Sequence, residues 1–366
     1  MTLALENVDL VVGGEPYLYD ISMQLEPGEP YVLLGPTTAG KTSLMRILAG
    51  LDRPTSGRVI ENGTDVTGVS VRRRNVAMVY QQFINYPSFT VYENIASPLR
   101  RAGLPSADID RQVRETASML RIDGLLDRLP SELSGGQQQR TALARALIKD
   151  ADLLLLDEPL VNLDFKLREQ LRSELGHISD RRSAIVVYAT TEPLEALMLG
   201  GRTIVMDTGR VLQSGTTHDV FKNPASVRVG EVFSDPPMNM IPGRVAGQTA
   251  ILGETLQIPL TRHLSVLGEG PYTFGIRCGH LFVSSSATDD VEIPGKVELS
   301  EINGSETFIH TSHNGVAWVA QEEGVHTFDL GQDITLHMNP RHLFAFREDG
   351  MLAAAPSQDA APVAVG

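Results

Sequence analysis

The sequence of 366 residues predicts an α/β domain with an inserted helical subdomain, followed by a small all-β domain. Short apolar runs alternate with amphipathic helical patterns over residues 1–235, which is typical of βαβ units. From about 90 to 135 the chain becomes helical and charged, which indicates the insertion. After a proline-rich linker at 236–243, residues 244–350 form short β-type runs separated by Gly and Asn turns. Runs at this spacing favour a small barrel or sandwich.

The composition indicates a globular protein that does not span a membrane. Hydrophobic residues make up 42% and charged residues 21% of the chain. No apolar run approaches the ~18 residues that a span requires, and the N-terminus lacks a signal-peptide pattern, so we expect any membrane contact to be peripheral. The net charge of -14 disfavours nucleic acid as a partner. The single cysteine, Cys278, suits a reducing cytoplasm, and the Ala- and Pro-rich residues 351–366 predict a disordered tail.

A glycine-rich loop joins a predicted strand at Tyr31–Leu34 to a predicted helix at 41–51. The loop fits the pattern G-x-x-x-x-G-K-[ST], in which backbone N–H groups and the positive end of the helix hold phosphate oxygens. Lys41 reaches the terminal phosphates in this pattern, and the Thr42 hydroxyl is a ligand for Mg²⁺. We therefore predict that a nucleoside triphosphate binds at Gly35, Pro36, Thr37, Thr38, Ala39, Gly40, Lys41, Thr42 and Ser43.

Two carboxylates follow the leucine run at residues 153–156, which reads as a buried strand. Parallel sheets place ligand sites at the carboxyl ends of their strands. We predict that Asp157 holds Mg²⁺, directly or through water, and that Glu158 is the general base for the attacking water. A hairpin is also predicted around Asp207-Thr208-Gly209.

The sequence Leu-Ser-Gly-Gly-Gln-Gln-Gln-Arg at residues 133–140, the signature segment, lies between these two motifs. It places a serine hydroxyl and two glycine amides before a helix predicted at 138–148, where they can grip phosphate. Taken alone, the serine could simply cap that helix. The order of the three motifs favours a nucleotide contact by Ser134, Gly135, Gly136 and Gln137.

With these motifs in this order, residues 1–350 resemble the ATP-binding subunits of ABC transporters, and among them the carbohydrate and polyol importers. In that family the signature segment of one subunit closes over the nucleotide of another. The resemblance implies that Gln81 touches Mg²⁺ and the membrane subunits and takes part in catalysis, and that Asp164 contacts the opposite subunit. It also implies that residues 244–350 are a regulatory domain of the OB or TOBE type, with Gly275-Ile276-Arg277 and His280 as its internal motif.

The same resemblance implies ATP and Mg²⁺ as cofactors. The implied partners are a second ATPase subunit, two transmembrane permease subunits and an external solute-binding protein. Their arrangement would place this chain at the cytoplasmic face of the bacterial inner membrane as a peripheral subunit.

Three positions depart from the family pattern. Thr191 stands where the family has its catalytic switch histidine, Val12 stands where an aromatic ring stacks on adenine, and Thr38 stands where the loop has glycine. Tyr17 and Tyr19 are candidates to replace the adenine-stacking ring. The Thr191 side chain is short and uncharged, so it cannot reach and stabilise the γ-phosphate as an imidazole does. Losing one preorganised transition-state donor costs ~10²–10³ in rate.

The missing histidine leads to the hypothesis that this chain pairs with a second, non-identical ATPase and that its own site turns over slowly. A homodimer in which Glu192 or a water replaces the imidazole remains open, as does a nucleotide-sensing protein outside transport. ATPases of DNA repair carry coiled coils or DNA-binding modules, and translation factors carry two cassettes, whereas this chain has neither feature. Resemblance at residues 37–39, 80–87 and 189–193 suggests an importer of glycerol, glycerol phosphate or a related polyol or sugar.

Overall fold

The computed structural model describes residues 1–160, 175, 184–285 and 287–356. The chain divides into two compact units, Met1–Thr217 and His218–Gly366. No helix among the described residues has the length and apolar character needed to cross a bilayer.

The first unit contains two sheets and a group of helices. Its strands are β1 (Leu3–Val12), β2 (Glu15–Leu25), β3 (Tyr31–Leu34), β4 (Ser56–Glu61), β5 (Thr64–Asp65), β6 (Val76–Val79), β7 (Leu153–Asp157), β8 (Ile185–Thr190), β9 (Arg202–Asp207) and β10 (Arg210–Thr216). Its helices in the described residues are α1 (Lys41–Ala49), α2 (Val91–Ala102), α3 (Ser106–Met119), α4 (Gly135–Leu147) and α5 (Pro193–Leu199).

The central sheet has the strand order β10-β9-β3-β8-β7-β6. All of its pairings are parallel except that of β9 with β10, which forms the predicted hairpin. Every residue of β3, β7 and β8 is buried, which explains why these strands are continuous apolar runs. Because the strands are parallel, the segments that follow β3, β6, β7 and β8 meet at one edge of the sheet.

A second, antiparallel sheet of order β2-β1-β4-β5 covers α1. One hydrophobic cluster includes Leu5 of β1, Leu48 of α1 and Leu33 of β3. Helix α1, which begins directly after the glycine-rich loop, is therefore fixed between the two sheets by apolar burial.

Helices α2 and α3 lie within the helical insertion predicted at about 90–135, and both pack against α4, which extends beyond that range. A capping box starts α2, in which the Thr90 hydroxyl accepts from the Glu93 N–H at 3.2 Å and the Glu93 carboxylate accepts from the Thr90 N–H at 2.9 Å. Gly103, with φ of 78°, ends the helix in the left-handed conformation that favours glycine.

The second unit is rich in antiparallel strands. Its helices are α6 (Thr217–Lys222), which begins at the last residue of the first unit, and α7 (Val227–Val232). Its strands are β11 (Asn239–Ala246), β12 (Thr249–Leu252), β13 (Leu256–Pro259), β14 (Gly270–Ile276), β15 (Leu281–Phe282), β16 (Val291–Asn303), β17 (Glu306–His313), β18 (Val316–Glu323), β19 (Asp333–Met338), β20 (Phe344–Arg347) and β21 (Leu352–Ala354).

These strands form two sheets, of order β13-β12-β11-β14-β20-β21 and β15-β19-β16-β17-β18. Both sheets contribute to one core, which contains Phe274 and the fully buried Trp318. Arg277, from the predicted internal motif, lies 3.7 Å from the Phe221 ring centroid and donates to the Phe221 carbonyl at 2.6 Å. The helical segment at the start of this unit is thereby attached to its β core.

Two predicted boundaries differ from the structure. The predicted linker at 236–243 overlaps β11, and the predicted disordered tail overlaps β21, which pairs with β20. Ala and Pro composition suggested disorder at 351–366, but the backbone of residues 352–354 completes the edge of a sheet. Residues 357–366 lie outside the described part of the chain, and the domain bounds 1–235 and 244–350 stay predictions.

Candidate nucleotide site

Lys41 lies inside the glycine-rich loop. Its ammonium donates to the Gly35 carbonyl at 2.7 Å and to the Pro36 carbonyl at 3.0 Å. The side chain is almost fully buried, and the loss of solvent lowers the pKa of the ammonium group. A buried cation held by loop carbonyls is placed to exchange them for phosphate oxygens.

Glycine is required where this loop meets other backbone segments. A Cβ at Gly35 would clash with the Met206 carbonyl and lie 2.9 Å from the Ala39 Cβ. Gly40 has φ of 92°, and a Cβ there would lie 2.9 Å from the Tyr17 carbonyl. Thr38, where the family has glycine, is exposed and is not among the residues with positive φ. The backbone therefore accepts threonine at that position.

Asp157 and Thr42 are in direct contact. The Thr42 hydroxyl donates to the Asp157 carboxylate at 2.7 Å. Asp157 is only 2% exposed, and burial raises the pKa of its carboxyl group. Hydroxyl and carboxylate oxygens are ligands that suit Mg²⁺, so these two side chains fit the predicted metal role. Gln81, the third predicted ligand, contacts Glu158, the residue after Asp157.

Glu158 is held in an unusual backbone conformation. Its φ of 47° is uncommon for a residue with a side chain, and its N–H donates to the Ala189 carbonyl at 3.0 Å. The Gln81 amide donates to its carboxylate at 2.8 Å, and the Lys41 ammonium lies 3.9 Å away. The strained turn places this carboxylate against Lys41 of the loop and against Gln81.

The structure thus brings the predicted phosphate, metal and general-base residues together at the carboxyl edge of the central sheet. Thr191 also lies at this edge. It follows Thr190, whose carbonyl accepts from the Gly35 N–H at 3.4 Å, and its side chain is exposed. Its assignment to the switch position stays a prediction, and threonine offers only a short neutral hydroxyl at this edge.

The two candidates for stacking on adenine have different surroundings. The Tyr19 ring lies under the Arg210 guanidinium at 4.6 Å, whereas the Tyr17 ring is 49% exposed and its backbone borders Gly40. Val12 is 55% exposed near the β1–β2 turn. Of the tyrosines, Tyr17 is the better placed to cover a base.

The signature residues form a capping box at the start of α4. The Ser134 hydroxyl accepts from the Gln137 N–H at 3.4 Å, and the Gln137 side chain accepts from the Ser134 N–H at 3.0 Å. No hydrogen bond or ion pair within the described residues connects segment 134–137 to the loop at 35–43. Asp164 lies outside the described residues, so its predicted contact with another subunit stays a prediction.

Sequence reasoning missed several residues that support the site. Gln139, fully buried in α4, donates to the Pro159 carbonyl at 2.7 Å, directly after Glu158. Glu195 is buried and accepts from the hydroxyls of Tyr188 and Thr190 at 2.8 and 2.7 Å. Glu195 thereby fixes the end of β8, and only the spacing of polar residues near this end could have suggested it.

Gly35→Ala is expected to lower the free energy of unfolding by about 1–3 kcal/mol, because a Cβ there forces the Met206 backbone to move. Urea denaturation of the full chain measures the change. Gly124→Ala is the matched control, since no heavy atom lies within 4 Å of a Cβ at that position. Equal stability of the two variants would contradict the close approach.

Comparisons with known proteins agree with this geometry. The ABC transporter family matches residues 18–161, and the TOBE domain family matches residues 274–346. The sn-glycerol-3-phosphate import ATP-binding protein UgpC of Psychromonas ingrahamii is 36% identical over 361 residues, covering 95% of this chain and 94% of that protein. UgpC 3 of Rhizobium etli is 39% identical over 298 residues, covering 81% and 83%.

Two solved structures share the fold of the first unit. The dimeric ATP-binding cassette MJ0796 bound to ADP and Pi has a TM-score of 0.54 and 28% identity, covering 59% of this chain and 98% of that chain. A second dimeric MJ0796 structure, described as a bacterial ABC transporter cassette, has a TM-score of 0.55. The first unit is therefore a phosphate-loop ABC cassette with an inserted helical subdomain, and the β-rich unit is of the TOBE type.

Proposed function

Because this chain belongs to the ATP-binding proteins of ABC importers, we propose that it is one of two non-identical ATPases powering a bacterial importer of glycerol, glycerol phosphate or a related polyol or sugar. Its ATPase activity is coupled to transport, as in its relatives. The observation that carries the heteromeric proposal is Thr191, which directly follows β8 at the edge of the sheet where Lys41, Asp157 and Glu158 lie.

Each catalytic group has a defined part. Lys41 and the loop amides would bind the phosphates of ATP, and Glu158 would accept a proton from the attacking water. Gln81, bonded to Glu158, would hold that carboxylate in place. Thr42, Asp157 and Gln81 would hold Mg²⁺, which when bound neutralises charge on the phosphates.

The second half of the pocket would come from another cassette. The capping box uses the N–H groups of Ser134 and Gln137, and those of Gly135 and Gly136 at the helix start would be available to grip phosphate. In the proposed pair, Ser134–Gln137 of this chain serve the partner's nucleotide, and the partner's signature segment serves the site at Lys41. ATP binding then draws the cassettes together, since each nucleotide is gripped from both sides.

The pair would lie at the cytoplasmic face of the inner membrane and drive two permease subunits, with a solute-binding protein delivering cargo outside. The names of the relatives support glycerol-3-phosphate chemistry for the cargo. Cargo itself would be bound by those other subunits.

The proposal is tested by comparing ATP hydrolysis by the purified chain with hydrolysis by the chain combined with the second ATPase. We expect slow turnover alone and rapid turnover in the mixture. In a homodimer that uses Glu192 instead of an imidazole, the chain alone would be fast and Glu192→Gln would slow it. That result would overturn the heteromeric proposal in favour of the homodimer.

A further inference from the structure

Residues 84–89, here called the apolar loop, connect the Gln81 segment to α2 and present apolar side chains to solvent. Ile84, Tyr86 and Phe89 are each between 39% and 53% exposed. The rings of Tyr86 and Phe89 pack edge to face with centroids 5.4 Å apart. The loop is therefore an ordered apolar surface, since its exposed rings contact each other.

A buried amide holds the backbone of this loop from within. Asn94, in the first turns of α2, is fully buried. Its side-chain oxygen accepts from the Tyr86 N–H at 2.8 Å, and its side-chain nitrogen lies 3.0–3.1 Å from the carbonyls of Tyr86, Phe89 and Thr90. One buried side chain thus forms hydrogen bonds with three backbone groups of the loop.

A second anchor comes from α4. The Arg145 guanidinium donates to the Ile84 carbonyl and, at 3.2 Å, to the Asn94 side-chain oxygen, and it lies 4.7 Å from the Tyr86 ring centroid. Asn85 adds a bond from its side-chain nitrogen to the Gln138 carbonyl of α4 at 2.9 Å. The apolar loop is therefore attached directly to the helix that the signature segment begins.

The charge of Arg145 has no carboxylate partner within 4.0 Å among the described residues. The side chain is partly buried, and loss of solvent lowers the pKa of its guanidinium. A guanidinium in this setting depends on the carbonyl, amide and ring it touches. If the loop moved away from α4, the guanidinium would lose these hydrogen-bond and ring partners. The contact therefore strongly favours one position of the loop.

We propose that Arg145 is a positioning residue, which fastens the apolar loop to α4 so that the loop follows the movements of the signature segment. The proposal rests on the proposed function, in which Ser134–Gln137 grip the nucleotide of the second cassette. Helix α4 is continuous from Gly135 to Leu147, so a displacement at its start is carried to Arg145. Closure of the two cassettes around ATP would thereby shift Ile84, Tyr86 and Phe89 relative to the permease subunits that this chain is proposed to drive.

Hydrogen exchange on the full-length chain tests the attachment. In Arg145→Met, the amides of Tyr86 and Phe89 are expected to exchange on the order of tenfold faster than in the unchanged protein, because the loss of bonds to a charged group opens the loop. Arg145→Lys, which keeps the charge and a donor, is expected to restore part of the protection. Arg111→Met is the matched control, since Arg111 is exposed on α3 and pairs with Asp108 and Glu115.

Unchanged exchange at Tyr86 and Phe89 would overturn the proposal. So would an equal rise across all of α2 and α3, which would show general loosening of the helical subdomain, or a lysine variant as fast as the methionine variant.

The consequence for coupling is measured in the transporter purified with its membrane subunits. Arg145→Met should leave the ATP affinity unchanged while removing most of the stimulation of hydrolysis by cargo and binding protein. Full stimulation in this variant would contradict a positioning role. If the unchanged transporter shows no stimulation at all, the proposed function fails instead, whereas the exchange result in the isolated chain stands independently.

Discussion

Thr191→His is expected to raise ATP hydrolysis by the purified chain by ~10²–10³. The position directly follows Thr190, which bonds to Gly35, and Gln81 and Lys41 both already contact Glu158, so an imidazole would complete an assembled site. The rate is measured over a range of protein concentrations, because the pocket needs a second cassette.

Thr191→Phe is the matched control, since it adds a ring without a hydrogen-bond donor. It should leave the rate at its low value. Rapid hydrolysis by the unchanged chain, or equal rates for the histidine and phenylalanine variants, would contradict the view that a missing donor limits turnover.

Glu158→Gln, introduced into the Thr191→His protein, is expected to lower the hydrolysis rate by ~10²–10⁴ while ATP still binds. Glutamine keeps the size of the side chain and an oxygen that can accept from the Gln81 amide, but it cannot take a proton from water. Rate and ATP affinity are measured together, so that loss of catalysis is separated from loss of binding. Glu115→Gln, at an exposed position on α3, controls for the removal of a carboxylate. A small effect of Glu158→Gln would show that another group acts as the base.

Much of the first unit could be predicted from sequence because its strands are buried on both faces. The apolar run at Tyr31–Leu34 has the exact bounds of β3, and the leucine run ends in Asp157 as predicted. The start of α4 was predicted three residues late, at 138. Two glycines suggested a loop there, but the Ser134 capping box starts the helix at Gly135.

The second unit was harder to predict because its strands contain residues that usually interrupt strands. The sequence predicts only short β-type runs after residue 244, yet β16 extends from Val291 to Asn303 and passes through Pro294 and Gly295. Gly295 is needed there, since a Cβ would lie 2.9 Å from the Ser312 carbonyl of the neighbouring strand. Such a close approach depends on strand register, which the local pattern does not contain.

Hydrogen bonds from side chains to backbone groups far away along the chain could not be predicted from the sequence. Gln139 contacts the Pro159 carbonyl and Arg145 contacts the Ile84 carbonyl, across 20 and 61 residues of chain. Their residue types suit many surface positions, and only the packing of α4 decides what they touch. The motifs, by contrast, were predictable because their chemistry requires particular residues at fixed local spacing.

The copy number of this chain in the intact transporter tests the central claim most directly. The complex is purified from its native membrane through a tag on this chain, and its mass is measured with the subunits still associated. We expect one copy of this chain beside one copy of a different ATPase that carries a histidine at the position of Thr191. Two copies of this chain, with no second ATPase, would contradict the account.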